Sequence, residues 1–383
     1  MPSPMAGRRP VSSTRELPAT RRERILAMVK QKGFTRIAEV AETLGISPIT
    51  ARRDIAQLTA DGLVQQERGG ARALPGTAPE PQSHPGTGIP AGATVGLIVP
   101  SLRYYWPAVV RGVGAAADSL GVRLLIQSSA YRPEDSLRQA RSMVGDGIVS
   151  GLLLAPEVPP TPGVEAHEDL LAFLETIELP TVLVERALRP HGSHGRTLDS
   201  ASSDHRMGGI IAARHLADLG HKHVALFSHR STPTQFPMRK GWEEAVDDLG
   251  LDSFSRTTSA SFPPTPGTEA AGVSDVDRFI DECVKRGTTA LLAHSDELAL
   301  TVVQRLMHRG LRVPADISVI AYDDEVAALA RPALTAIAPP KEAIGDMALR
   351  MLVERIGGSE RPITSVELQP SLIDRGSTAP PGA

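Results

Sequence analysis

The sequence predicts an α/β protein in which a small, mainly helical head precedes a large body built on parallel sheets. Three observations predict it. From Thr94 onward, short apolar runs alternate with amphipathic stretches, the pattern of repeated strand–helix–strand units. The alternation continues to residue 375, which exceeds one ordinary doubly wound domain, so two lobes are expected. Charge is also divided unevenly. Up to Arg72 there are thirteen basic and seven acidic residues, an excess of six positive charges, while the 383-residue chain as a whole carries −3. A basic head on an acidic body points to a polyanionic partner for the head alone.

Residues 1–20 have no apolar core and read as a disordered arm, not a secretory signal. RRERILAMVKQKG places Ile25, Leu26, Met28 and Val29 on a first helix that Gly33 ends. RIAEVAETLG repeats the pattern up to Gly45. Ser47 is then a good N-cap and Pro48 a good first residue for a third helix over 47–60. Two helices joined by a turn at Gly45 form a helix-turn-helix. Ile49, Ile55 and Leu58 are expected to pack inward, leaving Thr50, Arg52, Arg53 and Gln57 outside. Leu63–Gln66 and the residues after Gly69-Gly70 can form a hairpin wing, which closes a head over 21–72. Residues 73–93 are rich in Pro and Gly and read as a linker.

In the body the expected strands are VGLIVP (95–100), VRLLIQ (122–127), VSGLLLAP (149–156), LPTVLVE (179–185), HVALFS (223–228), TALLAHS (289–295) and ISVIAY (317–322). Ligands of open α/β sheets bind beyond the carboxyl ends of the strands. Those ends carry SLRYYWP, Glu185-Arg186, Ser295-Asp296 and Asp323-Asp324. Aromatic faces with carboxylates and an arginine suit a hydroxyl-rich ring. The same residues also have structural uses: Asp204 and Asp296 can simply cap helices, and the aromatic triplet can be core.

Several other chemistries are excluded. Gly112-Val113-Gly114-Ala115-Ala116-Ala117 matches the dinucleotide fingerprint, but it begins a dozen residues after a strand end instead of in the turn. Those glycines are expected inside a helix, for close packing. His191, His194, His205, His221 and His223 lack metal-ligand spacing, so surface or capping roles are expected. The single cysteine, Cys283, can form no intrachain disulfide, which fits a reducing compartment. No apolar run is long enough to span a membrane. Neither a catalytic constellation nor a cofactor is expected.

The stretch SPITARRDIAQLTADGLV with the later RGGA resembles the DeoR family's DNA-binding signature, a serine-led helix carrying T-x-R-R-D-L and a wing ending H-G-G-A. The resemblance covers residues 21–72. It implies that the third helix enters a DNA major groove with its N-terminal side chains at base edges. Arg36, Ser47, Pro48, Thr50, Arg52, Arg53, Gln57 and Arg68 are the expected DNA-contacting residues, and Asp54 is expected to hold an arginine. Gln66 and Arg68 replace the family's wing Arg and His.

Residues 94–375 resemble the effector domain of the LacI/GalR family, which shares its two-lobed fold with periplasmic sugar-binding proteins. DHRMGGIIAARHLADLGHKHVALF and RGLRVPADISVIAYDD carry most of the resemblance. It implies lobe 1 over about 94–200 and 340–365, and lobe 2 over about 201–339 and 366–375; beyond it, residues 376–383 read as a disordered tail. Position by position it implies effector contacts at Tyr105, Trp106, Arg186, Phe262, Asp296 and Asp323, and Thr234 joins the set. The family's gripping arginine falls on Met238, which implies either a less anionic or more apolar ligand or a substitute in Arg239 next door, reaching in from a rotated turn. Pro339 and Arg103-Tyr104 are further departures.

The resulting expectation is a cytoplasmic, homodimeric transcription regulator, a repressor, that binds an operator duplex and is controlled by a sugar-like effector. The alternative is a ligand-binding receptor or sugar-processing protein.

Overall fold

The computed structural model describes residues 21–22, 24–26, 28–29, 34–60, 63–67, 69–73, 92–157, 165–186, 198–230, 232–258 and 269–382. Two compact units emerge, 1–82 and 83–383. The expected arm, the turn at Gly33 and almost all of the linker lie outside the described residues.

In the first unit the described positions between 21 and 29 are helical (α1). They are followed by β1 (Phe34–Arg36), α2 (Ile37–Leu44), α3 (Pro48–Ala60), β2 (Val64–Glu67) and β3 (Gly70–Ala73). The wing is a three-stranded antiparallel sheet in the order β1-β3-β2, not a bare hairpin. Ile25, Val29, Val40, Ile55, Leu58 and Val64 form its core. The buried positions of α3 are Ala51, Asp54, Ile55 and Leu58, at helical spacing i, i+3, i+4 and i+7. Ile49 does not join them and is 82% exposed, against expectation. It precedes Arg52 by three residues and Arg53 by four, and so shares their face.

The second unit holds two six-stranded sheets. The first has the order β14-β8-β7-β6-β4-β5, from β4 (Thr94–Val99), β5 (Arg123–Ser128), β6 (Gly151–Leu154), β7 (Thr181–Val184), β8 (Asp199–Ser203) and β14 (Ser365–Leu368). The second has the order β10-β9-β11-β12-β13-β15, from β9 (His223–His229), β10 (Asp252–Thr258), β11 (Ala290–His294), β12 (Ser318–Tyr322), β13 (Thr335–Ala338) and β15 (Ser371–Ile373). All pairings are parallel except β13 with β15. The chain changes sheets three times: after β8, after β13 and after β14. The strand β8 therefore carries lobe 1 to residue 203, and β14 belongs to lobe 1. Both differ from the lobe limits expected at 200 and 365.

Helices α4 (Trp106–Leu120) and α11 (Lys341–Ile356) pack together on lobe 1, and α7 (His205–Asp218) and α8 (Gln235–Leu249) on lobe 2. The other helices are α5 (Pro133–Gly145), α6 (Glu165–Thr176), α9 (Glu269–Arg286) and α10 (Asp296–His308). Gly112 lies within α4, as its distance from the strand end predicted.

The disordered tail is corrected. Ser377 is buried; its backbone carbonyl accepts from Val319 N–H at 2.9 Å and its Oγ accepts from Thr335 N–H at 2.8 Å. Ala379 exchanges hydrogen bonds with the Ser318 hydroxyl. Small hydroxyl-bearing residues suit this role, because they satisfy backbone groups at the ends of β12 and β13.

Candidate functional site

In the head, Ser47 caps α3: its Oγ accepts from Thr50 N–H at 3.1 Å and lies 2.8 Å from Thr50 Oγ1. Arg52, Arg53 and Gln57 are exposed, with Pro48 and Ile49 at the N-terminal end of the same surface. Asp54 is buried and does hold an arginine, as expected. Arg21 on α1 donates to it from Nε at 2.6 Å and from Nη2 at 3.2 Å. This bidentate pair ties the recognition-type helix to the helix beneath it. Arg36 is exposed on β1. Arg68 lies outside the described residues.

In the body, backbone strain marks one region. Among the described residues, the non-glycine positions with positive φ are Tyr104 (57°), Ala130 (52°), Tyr131 (60°), Glu185 (62°), Asp323 (105°) and Asp324 (55°). Every one follows the carboxyl end of β4, β5, β7 or β12. Such conformations cost about 1–3 kcal/mol each and persist where the surroundings enforce them, most often at binding sites. Polar atoms without a partner among the described residues gather at strand ends too. Ser129 Oγ, Ser228 Oγ, Thr232 Oγ1 and His294 Nδ1 are all buried there.

The side chains at these ends interlock across the lobes. Tyr104 Oη donates to Asp323 Oδ2 at 3.3 Å. Tyr105 Oη donates to Glu185 Oε1, and Ser203 donates to the same carboxylate from its N–H and its hydroxyl, both at 2.7 Å. Burial pushes the Glu185 carboxyl up, against these donors. Asp323 is 5% exposed, and burial with the nearby charge of Asp296 raises it well above the usual carboxylate range. Lys341, at the crossover into α11, donates to the Asp323 carbonyl, pairs with Glu325 at 2.5 Å and stands 5.1 Å over the Tyr105 ring.

Arg186 is at this centre, bound to Glu157 at 2.8 Å and to the Pro156 carbonyl at 3.1 Å. Thr234 Oγ1 lies 3.5 Å from His205 Nε2. Three expected contacts are not placed to face a ligand. Trp106, 3% exposed, is part of the lobe 1 core, with the Arg186 guanidinium 5.7 Å above its ring. Arg239 pairs with Glu243 one turn along the exposed face of α8, at 2.6 Å, while Met238 fills the core of lobe 2. Asp296 is a loop anchor: its carboxylate accepts the backbone N–H groups of Asp324, Glu325, Val326 and Ala327 at 2.7–3.2 Å. Asp204 accepts from Met207 N–H at 2.8 Å and caps α7. Phe262 lies outside the described residues.

Sequence reasoning gave no role to Tyr131, His294 or Lys341, noted Tyr104 only within SLRYYWP, and gave His205 a surface or capping role. His205 Nδ1 is 3.0 Å from Tyr322 Oη, and His294 stacks edge-on against the same ring. The buried aromatic Tyr322 before Asp323 was the available signal.

Burial depresses the His205 imidazole to about 3. It is neutral in the folded state, so the unfolded chain binds the extra proton below about pH 6.5. The stability this neutrality gives is complete above that pH and is lost as pH falls. His205→Asn is expected to reduce the loss between pH 6.5 and 5 by at most about 1.5 kcal/mol, and by less for the partial exposure of the ring. Urea titrations at the two pH values measure it, and an unchanged difference refutes the assignment.

Known proteins share both parts. The family profile of the DeoR-like helix-turn-helix domain matches residues 21–76, and that of the periplasmic binding protein-like domain matches residues 213–378. The HTH-type transcriptional regulator MalR of Streptomyces coelicolor is 30% identical over 300 residues, covering 74% of this chain and 80% of that protein. The HTH-type transcriptional repressor PurR of Aliivibrio fischeri is 29% identical over 293 residues, covering 74% and 80%. A solved LacI family transcriptional regulator from Enterococcus faecium, with bound ribose, has the same fold: TM-score 0.57, 22% identity, 75% of this chain and 99% of that one. The chain belongs to the LacI/GalR-type family of helix-turn-helix transcription regulators, with a DeoR-type head in front of its periplasmic-binding-protein-like body.

Proposed function

We propose that the chain is a cytoplasmic, homodimeric repressor whose operator affinity is set by a sugar or sugar derivative bound between lobes 1 and 2. It acts by binding, not by catalysis. The observation that carries the reading is the gathering of strained, polar residues at the strand ends of both lobes. The ribose named with the Enterococcus faecium regulator supports the sugar class. Tyr105, Arg186, Thr234 and Asp323 remain proposed effector contacts, joined by Tyr104 and Glu185. In the head, the exposed face of α3 with Ser47, Pro48, Thr50, Arg52, Arg53 and Gln57 is proposed to enter the major groove, and Arg36 and Arg68 remain further proposed DNA contacts. Ile49 on that face fits a thymine methyl group. One winged head makes few base contacts, so two heads on one two-fold site supply specificity.

Arg52→Ala and Arg53→Ala test the head. If one arginine reads guanine, its loss costs about 1–3 kcal/mol and relaxes one base position. If it binds phosphate, all sequences weaken alike and the salt slope falls by about one. Operator titrations at several salt concentrations separate the two. Wild-type affinity in both folded variants overturns the recognition-helix assignment. Thermal shift against a carbohydrate panel tests the cleft, because a ligand of the folded state raises its stability by mass action.

A further inference from the structure

In α3 the buried residues Ala51, Asp54, Ile55 and Leu58 define one side of the helix. At about 100° per residue, Ile49 stands roughly 180° from Leu58, at the middle of the opposite side. Ala56 and Ala60 follow it there within about 20°, and both are exposed. Arg52 and Arg53 lie on either side of that line, about 60° and 40° away, with Gln57 beyond Arg53. The face that carries the two arginines therefore has an apolar ridge along its middle and cations at its edges. Ile49 is the tallest member of the ridge and is 82% exposed. Exposed apolar residues scattered singly are ordinary on protein surfaces. This one stands between two arginines on the face proposed to enter DNA. Its branched Cβ leaves one strongly preferred rotamer in a helix, so it projects from α3 as a rigid knob.

The first turn of the helix offers little else. Ser47 Oγ accepts from Thr50 N–H at 3.1 Å and shares a hydrogen bond with Thr50 Oγ1 at 2.8 Å, so both hydroxyls serve the cap. Pro48 has no hydrogen-bonding side chain, and Ala51 and Asp54 are buried. The apolar feature of a base edge in the major groove is the C5 methyl group of thymine. Cytosine methylated at C5 carries the same group at the same place. We propose that Ile49 reads the C5 methyl group itself, so that operator binding responds to cytosine methylation as well as to thymine. This inference rests on the recognition-helix reading proposed above and adds a modified base to what the head recognises. Thymine and 5-methylcytosine differ at C4, where one carries an acceptor oxygen and the other a donor amine. Ile49 has no side-chain atom that senses that difference. Contact with the methyl group removes apolar surface of both partners from water, whichever base carries it. Arg52 and Arg53 are left to read guanine or hold phosphate at the edges of the ridge.

The test uses the full chain. Selection from a random duplex library yields a high-affinity duplex, which is then resynthesised with deoxyuridine in place of each thymine in turn. That exchange removes only the C5 methyl group. At the position that responds, cytosine and 5-methylcytosine opposite guanine form a second pair. Affinities are measured by titration for the wild type, Ile49→Ala and Ile49→Val. Ile49 is not part of the head's core, so neither variant disturbs it. Thymine at one position of each half-site is expected to bind about three- to fivefold more tightly than deoxyuridine, the scale of burying one methyl group. At that position 5-methylcytosine is expected to exceed cytosine by the same factor. Ile49→Ala should abolish both preferences, and Ile49→Val, which keeps the branched Cβ, should retain most of each. A thymine preference that survives in Ile49→Ala assigns the methyl contact to another residue and overturns the proposal, as does a duplex in which no thymine responds. A thymine preference without one for 5-methylcytosine overturns the response to methylation. Failure of the wild type to select any sequence overturns the recognition-helix reading itself, and the proposal with it.

Discussion

Gly241→Ala and Gly112→Ala are each expected to destabilise the body by about 3 kcal/mol or more, at the upper end of what added core volume costs. A methyl at Gly241 on α8 would stand 1.8 Å from the Arg206 carbonyl oxygen of α7, and one at Gly209 on α7 would stand 2.1 Å from the Met238 carbonyl oxygen of α8. Lobe 1 repeats the device: Gly112 on α4 faces the Glu342 carbonyl at 1.9 Å, and Gly345 on α11 faces the Val109 carbonyl at 2.2 Å. In both lobes the obstacle is helix backbone, so no side chain can rotate away and the two helices must separate. Separation would open gaps along both core faces. By the usual relation for domains of this size, melting should fall by roughly 6–12 °C. Gly114→Ala is the internal control. It lies on the same helix, and a methyl there would meet nothing within 4 Å, so alanine should be neutral or stabilise by up to about 1 kcal/mol. Scanning calorimetry of the three variants decides. Equal melting of Gly112→Ala and Gly114→Ala would contradict the helix contact.

The lobe 1 contact also bears on the site. Glu342 follows Lys341, whose amine holds the Asp323 carbonyl and Glu325. Gly112→Ala therefore pushes on the segment that links the lobes, and effector response should weaken beyond what lost stability explains.

The same pair of glycines shows what could be read in the sequence and what could not. Gly112 and Gly114 were assignable to a helix because spacing from a strand end is local information. The seven expected strands were legible for a similar reason: each is a short apolar run, and β6, β7, β11 and β12 are buried along their whole length. The strand β8 was not legible. Its residues DSASS are polar, yet all five are buried, because Asp199 is held by Arg355 and Arg361 and Glu185 accepts from Ser203. Those partners lie far away in sequence. Ile49 failed for a smaller reason. An apolar residue was counted inward, but its angle on the helix places it with Arg52 and Arg53. At the strand ends, residue type pointed to Asp323 and Arg186, which do follow the ends of β12 and β7. It could not distinguish Asp296, which four backbone N–H groups saturate, nor Trp106, which the lobe 1 core absorbs. A carboxylate after a strand reads alike whether it awaits a ligand or anchors a loop.

Asp323→Asn should move stability and binding in opposite directions, and the opposition separates a ligand contact from a structural one. Burial and the charge of Asp296 raise the Asp323 carboxyl in the folded state. For an acid raised on folding, the folded chain holds its proton more tightly than the unfolded chain does. Its cost to stability is therefore absent below the ordinary carboxylate range and grows as pH rises through the folded value. Asparagine keeps the size and the acceptor oxygen for Tyr104 and removes the charge. The variant should melt higher than the wild type at pH 7.5, and the gain should shrink toward zero near pH 4. Asn replaces a charge-assisted acceptor with a neutral one, a loss of about 1–1.5 kcal/mol for a hydroxyl ligand, so affinity for a neutral sugar that binds the wild type should fall roughly 5- to 10-fold. Operator affinity without effector should be nearly unchanged. A scaffold carboxylate would behave differently: its loss would lower melting at pH 7.5 and weaken operator and effector binding together. Melting curves at pH 4 and 7.5, beside sugar and operator titrations of the same preparation, separate the two cases. A variant that melts lower at pH 7.5 and still responds fully to the sugar would place the effector contact elsewhere in the cleft.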